Sequence, residues 1–420
     1  MSRYLPYQLA ALKRDNPVDE LAGQWVNLRK GRKAGWSVGP CPLCSNDPLS
    51  KTAGRFECSR AEWVCAVCCD GGDVIRLLMQ RARIGFEAAV AELGGVTERE
   101  PTAADARAAG RHAHGAGVAL AAVPADFAEL ADAWRDGWNK ARVQQETAAT
   151  FRETERRKLF AVWRQAVPVS ASQAEDYLGA RGLLMPPRAV LRCAPDYCYF
   201  HGEVEEFGRT VPRIIHRGPA MLAAIVDNDG RFAGLHATWI DLNNPPKFKA
   251  VVADPGTGEV LVAKKSRGTT KGCHLVLLQP PAPTRLYLGE GIETVLTIYT
   301  ALVRAGRKLD GMAFWTAIDL HNLGGPAAGT FPHPEKTHAN GHRVRVPSSE
   351  PAYDGTAIAI PDSVRELVLL GDGDSDSVLT GATLARAEAR YRRPGRRIAT
   401  VMAPAGMDFN DLVMQREDAA

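Results

Sequence analysis

Apolar residues recur along this 420-residue chain with two different periods, and the changes from one to the other divide it into segments. Near the start, GGDVIRLLMQRARIGFEAAVAELGG places Val74, Leu77 and Leu78, then Phe86, Val90 and Leu93, at helical spacing, which predicts two short helices closed by Gly94 and Gly95. TEREPTAADARAAGRHAHGAGVALAAVPA is rich in Ala, Gly and Arg without large apolar periodicity, and predicts a flexible linker over residues 97–125. From Asp126 to about Gln165 the pattern is helical, with Trp134 and Trp138 one turn apart on its core side, and Pro168 ends the region. Residues 169–281 mix a short helix, SQAEDYLGARG, with β-rich runs such as AMLAAIVD, FAGLHATWI and CHLVLLQ, the pattern of an α+β unit. Over 282–416 the order is RLYLGE, TVLTIYTALVRAG, MAFWTAI, ELVLLGD, TGATLARAEARYRR, RRIATVMAP, alternating strand and helix as in a parallel sheet flanked by helices. A stretch without core-forming periodicity, 319–357, interrupts it and reads as a surface insertion, with His321, His333, His338 and His342 taken as solvated rather than metal-binding. The expected fold class is thus multidomain, α/β and α+β.

Composition changes this picture little. Apolar and charged fractions are those of a globular protein, and 52 Lys plus Arg against 48 Asp plus Glu leave any affinity for nucleic acid to local basic patches. No signal-peptide core opens the sequence and nowhere do 18 apolar residues run together, so a soluble cytoplasmic protein without a membrane partner is expected. Nine cysteines, four of them in C-x-x-C pairs, suit metal binding in a reducing compartment better than disulfides.

Cys41, Cys44, Cys65 and Cys68 form a C-x2-C-x20-C-x2-C arrangement, in which two tight knuckles each supply two thiolates to one tetrahedral zinc ion. Cys58 and Cys69 are spare candidates. Four protein thiolates close the coordination shell, so the zinc is expected to be structural. The run CPLC...GRFEC...WVCAVCCDGGDVIRLL resembles the zinc-binding domain of bacterial and bacteriophage primases, where the second knuckle is followed by Gly-Gly-Asp, here Gly71, Gly72 and Asp73, and a short apolar helix. DnaG-type members often carry His as the second ligand; Cys44 matches many phage and plasmid versions instead. The resemblance implies a zinc ribbon over 1–96 that helps select the start site on a template.

GDGDSDS, residues 371–377, sets three aspartates at the end of the apolar run VRELVLL. A solvated turn would use the same residue types, whereas a hard cation would take the carboxylate oxygens and offset their repulsion. An EF-hand loop is excluded, because its sixth and twelfth positions are here Ser377 and Thr383 rather than Gly and Glu. If RLYLGE and ELVLLGD are parallel strands, Glu290 and Asp372 lie at carboxyl ends, where open α/β sheets place their ligands. LGEGIETV followed by VLLGDGDSDS is similar to the Toprim fold of DnaG-type primases, type IA topoisomerases and some nucleases, and GMDFNDLV resembles a further acidic motif of the primases. The resemblance implies a Rossmann-like Toprim domain in which Glu290, Asp372 and Asp374 are catalytic ligands of Mg²⁺ or Mn²⁺, with Glu293, Asp376, Asp408 and Asp411 as helpers.

Lys247, Lys249, Lys264, Lys265, Arg267 and Lys271 precede this part, and basic side chains near an acidic metal site can neutralise template phosphates or a triphosphate; a solvated charged hairpin is the competing reading. The segment resembles the N-terminal part of the primase polymerase domain, more loosely than the other two. The implied activity is that of a DNA primase making short RNA on single-stranded DNA from nucleoside triphosphates by two-metal nucleotidyl transfer. The alternatives are a Toprim nuclease and a non-catalytic zinc-ribbon/Toprim recombination factor that binds DNA. No G-x-x-x-x-G-K-[ST] loop occurs, so a fused helicase motor is not expected, and a separate replicative helicase partner is what the resemblance implies.

Overall fold

The computed structural model describes residues 4, 6–31, 33–45, 49, 55–65, 67, 70–95, 101–187, 190–337 and 343–417. Cys68, Cys69, His338 and His342 lie outside them. The chain forms two units, residues 1–149 with 332–345, and 150–331 with 346–420.

In the first unit, helices α1 (Pro6–Asp15) and α2 (Val18–Gly23) precede five short antiparallel strands in sequential order, β1 (Arg29–Lys30), β2 (Ser37–Gly39), β3 (Phe56–Cys58), β4 (Trp63–Cys65) and β5 (Asp70–Gly72). Helices α3 (Val74–Ala82) and α4 (Phe86–Glu92) follow, as their periodicity predicts. Asp73 starts α3 by accepting the Arg76 N–H, and its own carbonyl accepts the Trp63 indole N–H at 3.1 Å. Trp63 stacks on Phe56, and both are buried with Val74, Leu77 and Leu78, so strand alternation and helix period close on one core.

The segment expected to be a linker contains helix α5 (Ala103–Gly115), opened by a capping box between Thr102 and Asp105. Its small residues form a packing surface for α6 (Ala131–Gln165). A Cβ on Gly110 would meet the Trp134 carbonyl oxygen at 2.0 Å, and one on Gly137 the Arg107 carbonyl oxygen at 2.0 Å. Trp134 is buried against Ala106 and Phe127, as its helical spacing predicts. Alanine normally favours a helix over glycine by about 1 kcal/mol. Here we expect Gly137→Ala to lower the stability of this unit by about 1–3 kcal/mol through overpacking, read from urea unfolding followed by tryptophan fluorescence. A gain in stability would show that the two helices are free to part.

The second unit contains β6 (Val167–Pro168), α7 (Gln173–Ala180), β7 (Leu191–Glu206), β8 (Arg209–Val226), β9 (Phe232–Trp239), β10 (Val252–Ala253), β11 (Val260–Leu261), β12 (Lys264–Gly268) and β13 (His274–Leu278). It continues through β14 (Arg285–Gly289), α8 (Ile292–Arg304), β15 (Met312–Thr316) and α9 (Leu320–Gly324); after the hairpin β16 (Thr330–Thr337) and β17 (Arg343–Pro347), whose residues 332–345 belong to the first unit, it resumes with β18 (Glu366–Gly371), α10 (Ser377–Tyr391), β19 (Arg397–Met402) and α11 (Phe409–Glu417). Its main sheet runs β12-β9-β8-β13-β15-β14-β18-β19, with β7 also on β8. Strands β15, β14, β18 and β19 are parallel, as the alternation of strand and helix predicts. The α+β part and the parallel part do not separate at residue 281. β13 pairs antiparallel with both β8 and β15 and makes one continuous mixed sheet.

Side-chain alternation assigns the faces of the parallel strands. Tyr287, Val368 and Leu370 pack with Ile292, Val295 and Tyr299 of α8 on one face, while Leu286, Leu288, Leu367 and Leu369 pack with Leu384, Ala387 and Tyr391 of α10 on the other. The 319–357 stretch is more firmly held than its composition predicts. The fully buried Arg386 donates to the carbonyls of Gly325 and Ser348, and Arg390 to those of Gly324, Pro326 and Ala352. Arginine forks on a neighbouring helix replace apolar periodicity as the anchor. His333, expected to be solvated, is buried, and its Nδ1 accepts the N–H groups of Glu335 and Lys336. No helix among the described residues is long and apolar enough to cross a membrane.

Candidate functional site

Two constellations carry chemistry, one in each unit. In the first, β2–β4 bring Cys41, Cys44 and Cys65 together, their sulfurs all within 4.8 Å of one another. The Leu43 N–H donates to the Cys41 sulfur at 3.3 Å, and the Cys44 and Cys65 sulfurs stand 3.8 Å apart. That spacing is the edge of a tetrahedron with zinc–sulfur bonds of about 2.3 Å. Contact with the Cys65 thiol and burial push the Cys41 thiol far above its ordinary value, so these sulfurs need a cation to ionise together. The donor set fits zinc. Cys58 is fully buried in β3, and burial pushes its thiol up to about 12, the behaviour of a core cysteine. The purified chain should carry about one zinc ion, and Cys44→Ser should lose most of it on dialysis, as measured by elemental analysis; undiminished zinc would remove Cys44 from the ligand set.

The second constellation lies at the carboxyl ends of the parallel strands. Glu290 follows β14 and Asp372 follows β18, adjacent strands in parallel register. Asp372 accepts the Thr294 hydroxyl, its two oxygens lying 2.9 and 3.2 Å away, and the Phe409 N–H at 3.3 Å. Burial raises the Asp372 carboxyl to about 6, the Thr294 and Phe409 donors oppose that rise, and the charges of Asp408 and Glu290 add to it. Glu290 is also raised, chiefly by burial; Lys264, 3.7 Å away, opposes this, and Asp319 and Asp374 add to it. Asp374 is exposed one residue beyond Gly373, where a Cβ would meet the Pro404 carbonyl oxygen at 2.1 Å, so only glycine lets the chain pass there. These carboxylates feel one another's charge, yet among the described residues no three carboxylates bring oxygens within 4.8 Å. Oxygen donors alone, with Glu290 and Asp372 raised by burial and by neighbouring carboxylates, fit a hard divalent cation, which would favour the ionised forms.

The remaining expected ligands are already engaged. Asp376 caps α10 by accepting the Leu379 N–H at 2.8 Å. Lys247 bridges Asp408 and Asp411 at 2.7 Å each. Burial raises Asp411, but Lys247 and the Asp408 N–H outweigh it and hold the carboxyl below its usual range. Glu293, in the first turn of α8, is 2.8 Å from Lys249 and accepts the Tyr177 hydroxyl at 2.6 Å. Burial would raise it, but Lys249, Arg181 and Tyr177 keep it well below the usual carboxylate range.

The basic residues divide by the two-residue period of β12. Lys264 faces Glu290, and Ser266 meets the buried His236 at 2.9 Å on the same side. Lys265 lies over Tyr199 and donates to the Phe200 carbonyl, while Arg267 stacks on Phe200 and pairs with Glu155 of α6 at 2.6 Å. These two point away from the acidic residues and act as packing groups. Lys271 is exposed. Of the six basic residues, Lys247, Lys249 and Lys264 reach the acidic face.

A family model described as "Domain of unknown function (DUF7146)" matches residues 153–277. No curated protein matches the sequence. The chain is similar to solved structures of primases. One holds the zinc-binding and RNA polymerase domains of the Aquifex aeolicus primase, at 15% identity and TM-score 0.28, covering 99% of this chain and 84% of that one. Another is a DNA primase domain from Pseudomonas aeruginosa, at 15% identity and TM-score 0.34, covering 62% and 75%. A third is a DnaG primase catalytic domain bound to single-stranded DNA, at 17% identity and TM-score 0.36, covering 64% and 78%. At these TM-scores the likeness carries no weight for the chemistry of this chain, which rests on its own residues.

Several residues of the site escape a reading of the sequence. Asp319, whose charge adds to the rise of Glu290, is the first polar residue after β15, and its place at a strand end was the available signal. Arg181, 1% exposed, joins the motifs: its guanidinium donates to the Asn410 side chain and to the Lys247 carbonyl, and its carbonyl accepts from Asn410 at 2.8 Å. Tyr177 and Thr294, ordinary in a sequence, orient Glu293 and Asp372.

Proposed function

We propose that this chain is a DNA primase that makes short RNA on single-stranded DNA from nucleoside triphosphates. The observation that carries this reading is the pair of half-buried carboxylates, Glu290 and Asp372, on adjacent parallel strand ends, with Asp374 beyond them and Lys264, Lys247 and Lys249 on the facing elements. Glu290, Asp372 and Asp374 would hold Mg²⁺ or Mn²⁺, which in phosphoryl transfer activates the attacking oxygen and stabilises the leaving group. Thr294 and the Phe409 amide orient Asp372; Tyr177 and Lys249 fix Glu293; Lys247 ties Asp408 and Asp411 to the basic loop. Lysine ammonium groups beside such a centre suit triphosphate or template phosphates. In this reading residues 282–416 form a Toprim domain and residues 1–96 a primase zinc ribbon, serving replication in the cytoplasm beside a separate helicase.

The test is an unprimed circular single-stranded DNA incubated with the protein, Mg²⁺ or Mn²⁺ and labelled ribonucleotides. Primase activity gives short labelled products complementary to an intact circle. Linearised circles without labelled product would assign the same carboxylates to DNA cleavage instead, and unchanged circles without product would leave a binding factor.

A further inference from the structure

Beside the acidic face, between α7, β8 and the loop that follows β9, lies a cavity of about 550 Å³ that the chemistry above does not use. We propose that it receives a nucleobase, belonging to a nucleotide whose phosphates lie at Lys247 and Lys249. The inference rests on the nucleotide-handling part of the proposed function.

The volume is that of a small-ligand pocket, and the lining matches a planar group with apolar faces and a polar edge. Pro219, Leu242 and Val251 offer apolar surface, whereas Gln173 and Asn243 offer amides and His216 an imidazole. Amides pair with the donor and acceptor groups of base edges, and rings and aliphatic surfaces cover base faces.

Two elements tie the cavity to the acidic residues. The first is the loop itself: Ile240 and Leu242 line the cavity, and a few residues on Lys249 meets Glu293 and Lys247 meets Asp408 and Asp411. That loop is held closed by an antiparallel bridge between Ile240 and Lys249, by the Asp241 N–H on the Phe248 carbonyl at 3.0 Å, and by the Asn244 side chain on the Lys249 carbonyl at 2.7 Å. Phe248, between the two lysines, has φ 53°, the left-handed conformation that a bulky residue keeps only where its surroundings impose it. The second element is α7. Gln173 lines the cavity, Tyr177 one turn later binds Glu293, and Arg181 after the helix donates to the Lys247 carbonyl. One helical turn is about 5.4 Å, so α7 sets the residue that lines the cavity one turn from the residue that holds Glu293. Lys249 donates to one carboxylate and Lys247 to two, and an ammonium has three donors, so each keeps capacity for a phosphate oxygen.

The base could come from a nucleoside triphosphate or from the template strand, and binding measurements separate the two. ATP, inorganic tripolyphosphate, a deoxythymidine dodecamer and its abasic counterpart would be titrated into the full chain, wild type, Val251→Trp and Asn243→Ala. Val251 is exposed, so tryptophan there fills the cavity mouth without entering the core. For a triphosphate source, ATP affinity falls about tenfold in Val251→Trp and about threefold in Asn243→Ala, while tripolyphosphate binding is unchanged. For a template source, the dodecamer loses affinity instead and the abasic strand does not. The inference is overturned if both variants bind ATP and the dodecamer as the wild type does, or if tripolyphosphate and the abasic strand weaken equally with them. Should Val251→Trp melt early, Asn243→Ala alone decides by the same comparison. Cavity-sensitive ATP binding in a protein that makes no product would retain the pocket and remove the primase reading.

Discussion

Asp372→Asn is expected to lower templated nucleotide incorporation by about 10²–10³-fold, with the fold intact by circular dichroism. The substitution keeps the acceptor for Thr294 and the Phe409 N–H but removes the charge a divalent ion needs, so its effect isolates ligation from packing. Asp376→Asn is the internal comparison. Asp376 caps α10, and asparagine caps a helix as well as aspartate does, so incorporation should stay within about threefold of the wild type. The pH profile depends on the same charge. The folded Asp372 carboxyl is raised to about 6, so it is ionised above that pH and takes up a proton below it. Incorporation and divalent affinity should therefore fall as pH drops through about 6, and excess Mn²⁺ should move the fall to lower pH by competing with the proton. Equal losses in the Asp372 and Asp376 variants would mean that the turn matters as structure and not as a ligand.

Arg181→Met should destabilise the second unit by about 3–5 kcal/mol, measured by urea unfolding. Methionine approximates the length of the chain but leaves the Asn410 amide oxygen and the Lys247 carbonyl without their guanidinium partner in a buried place. Arg181 also helps keep Glu293 ionised and lies 3.9 Å from Asp408, so the loss reaches both acidic motifs. Stability unchanged within about 1 kcal/mol would contradict the role of Arg181 as the tie between α7, the lysine loop and the start of α11.

What was legible in the sequence was local. The two-residue knuckles bring Cys41, Cys44 and Cys65 together, and the apolar runs ending in Glu290 and Asp372 place both carboxylates on adjacent strand ends. The ties between distant segments were not legible, because Tyr177 to Glu293, Arg181 to Asn410 and Lys247 to Asp408 join residues more than a hundred positions apart and leave no periodic trace. The pairing of β13 with both β8 and β15 is hidden for the same reason, since composition marks a strand but not its neighbours. In two places the residues themselves held more than was read from them. The alternation of β12 separates Lys264 from Lys265 and Arg267, which composition alone groups as one basic block. The Ala- and Gly-rich stretch before residue 125 reads as flexible chain by composition, yet in α5 its small residues allow a close helix crossing.

If the strand-end carboxylates form a divalent-metal centre, as proposed, Mn²⁺ binding followed by electron paramagnetic resonance will show it. Saturable binding by the zinc-loaded wild type should weaken about tenfold or more in Asp372→Asn and in Glu290→Gln and not in Asp376→Asn. Identical Mn²⁺ titrations for all four proteins would mean that these carboxylates hold no divalent ion.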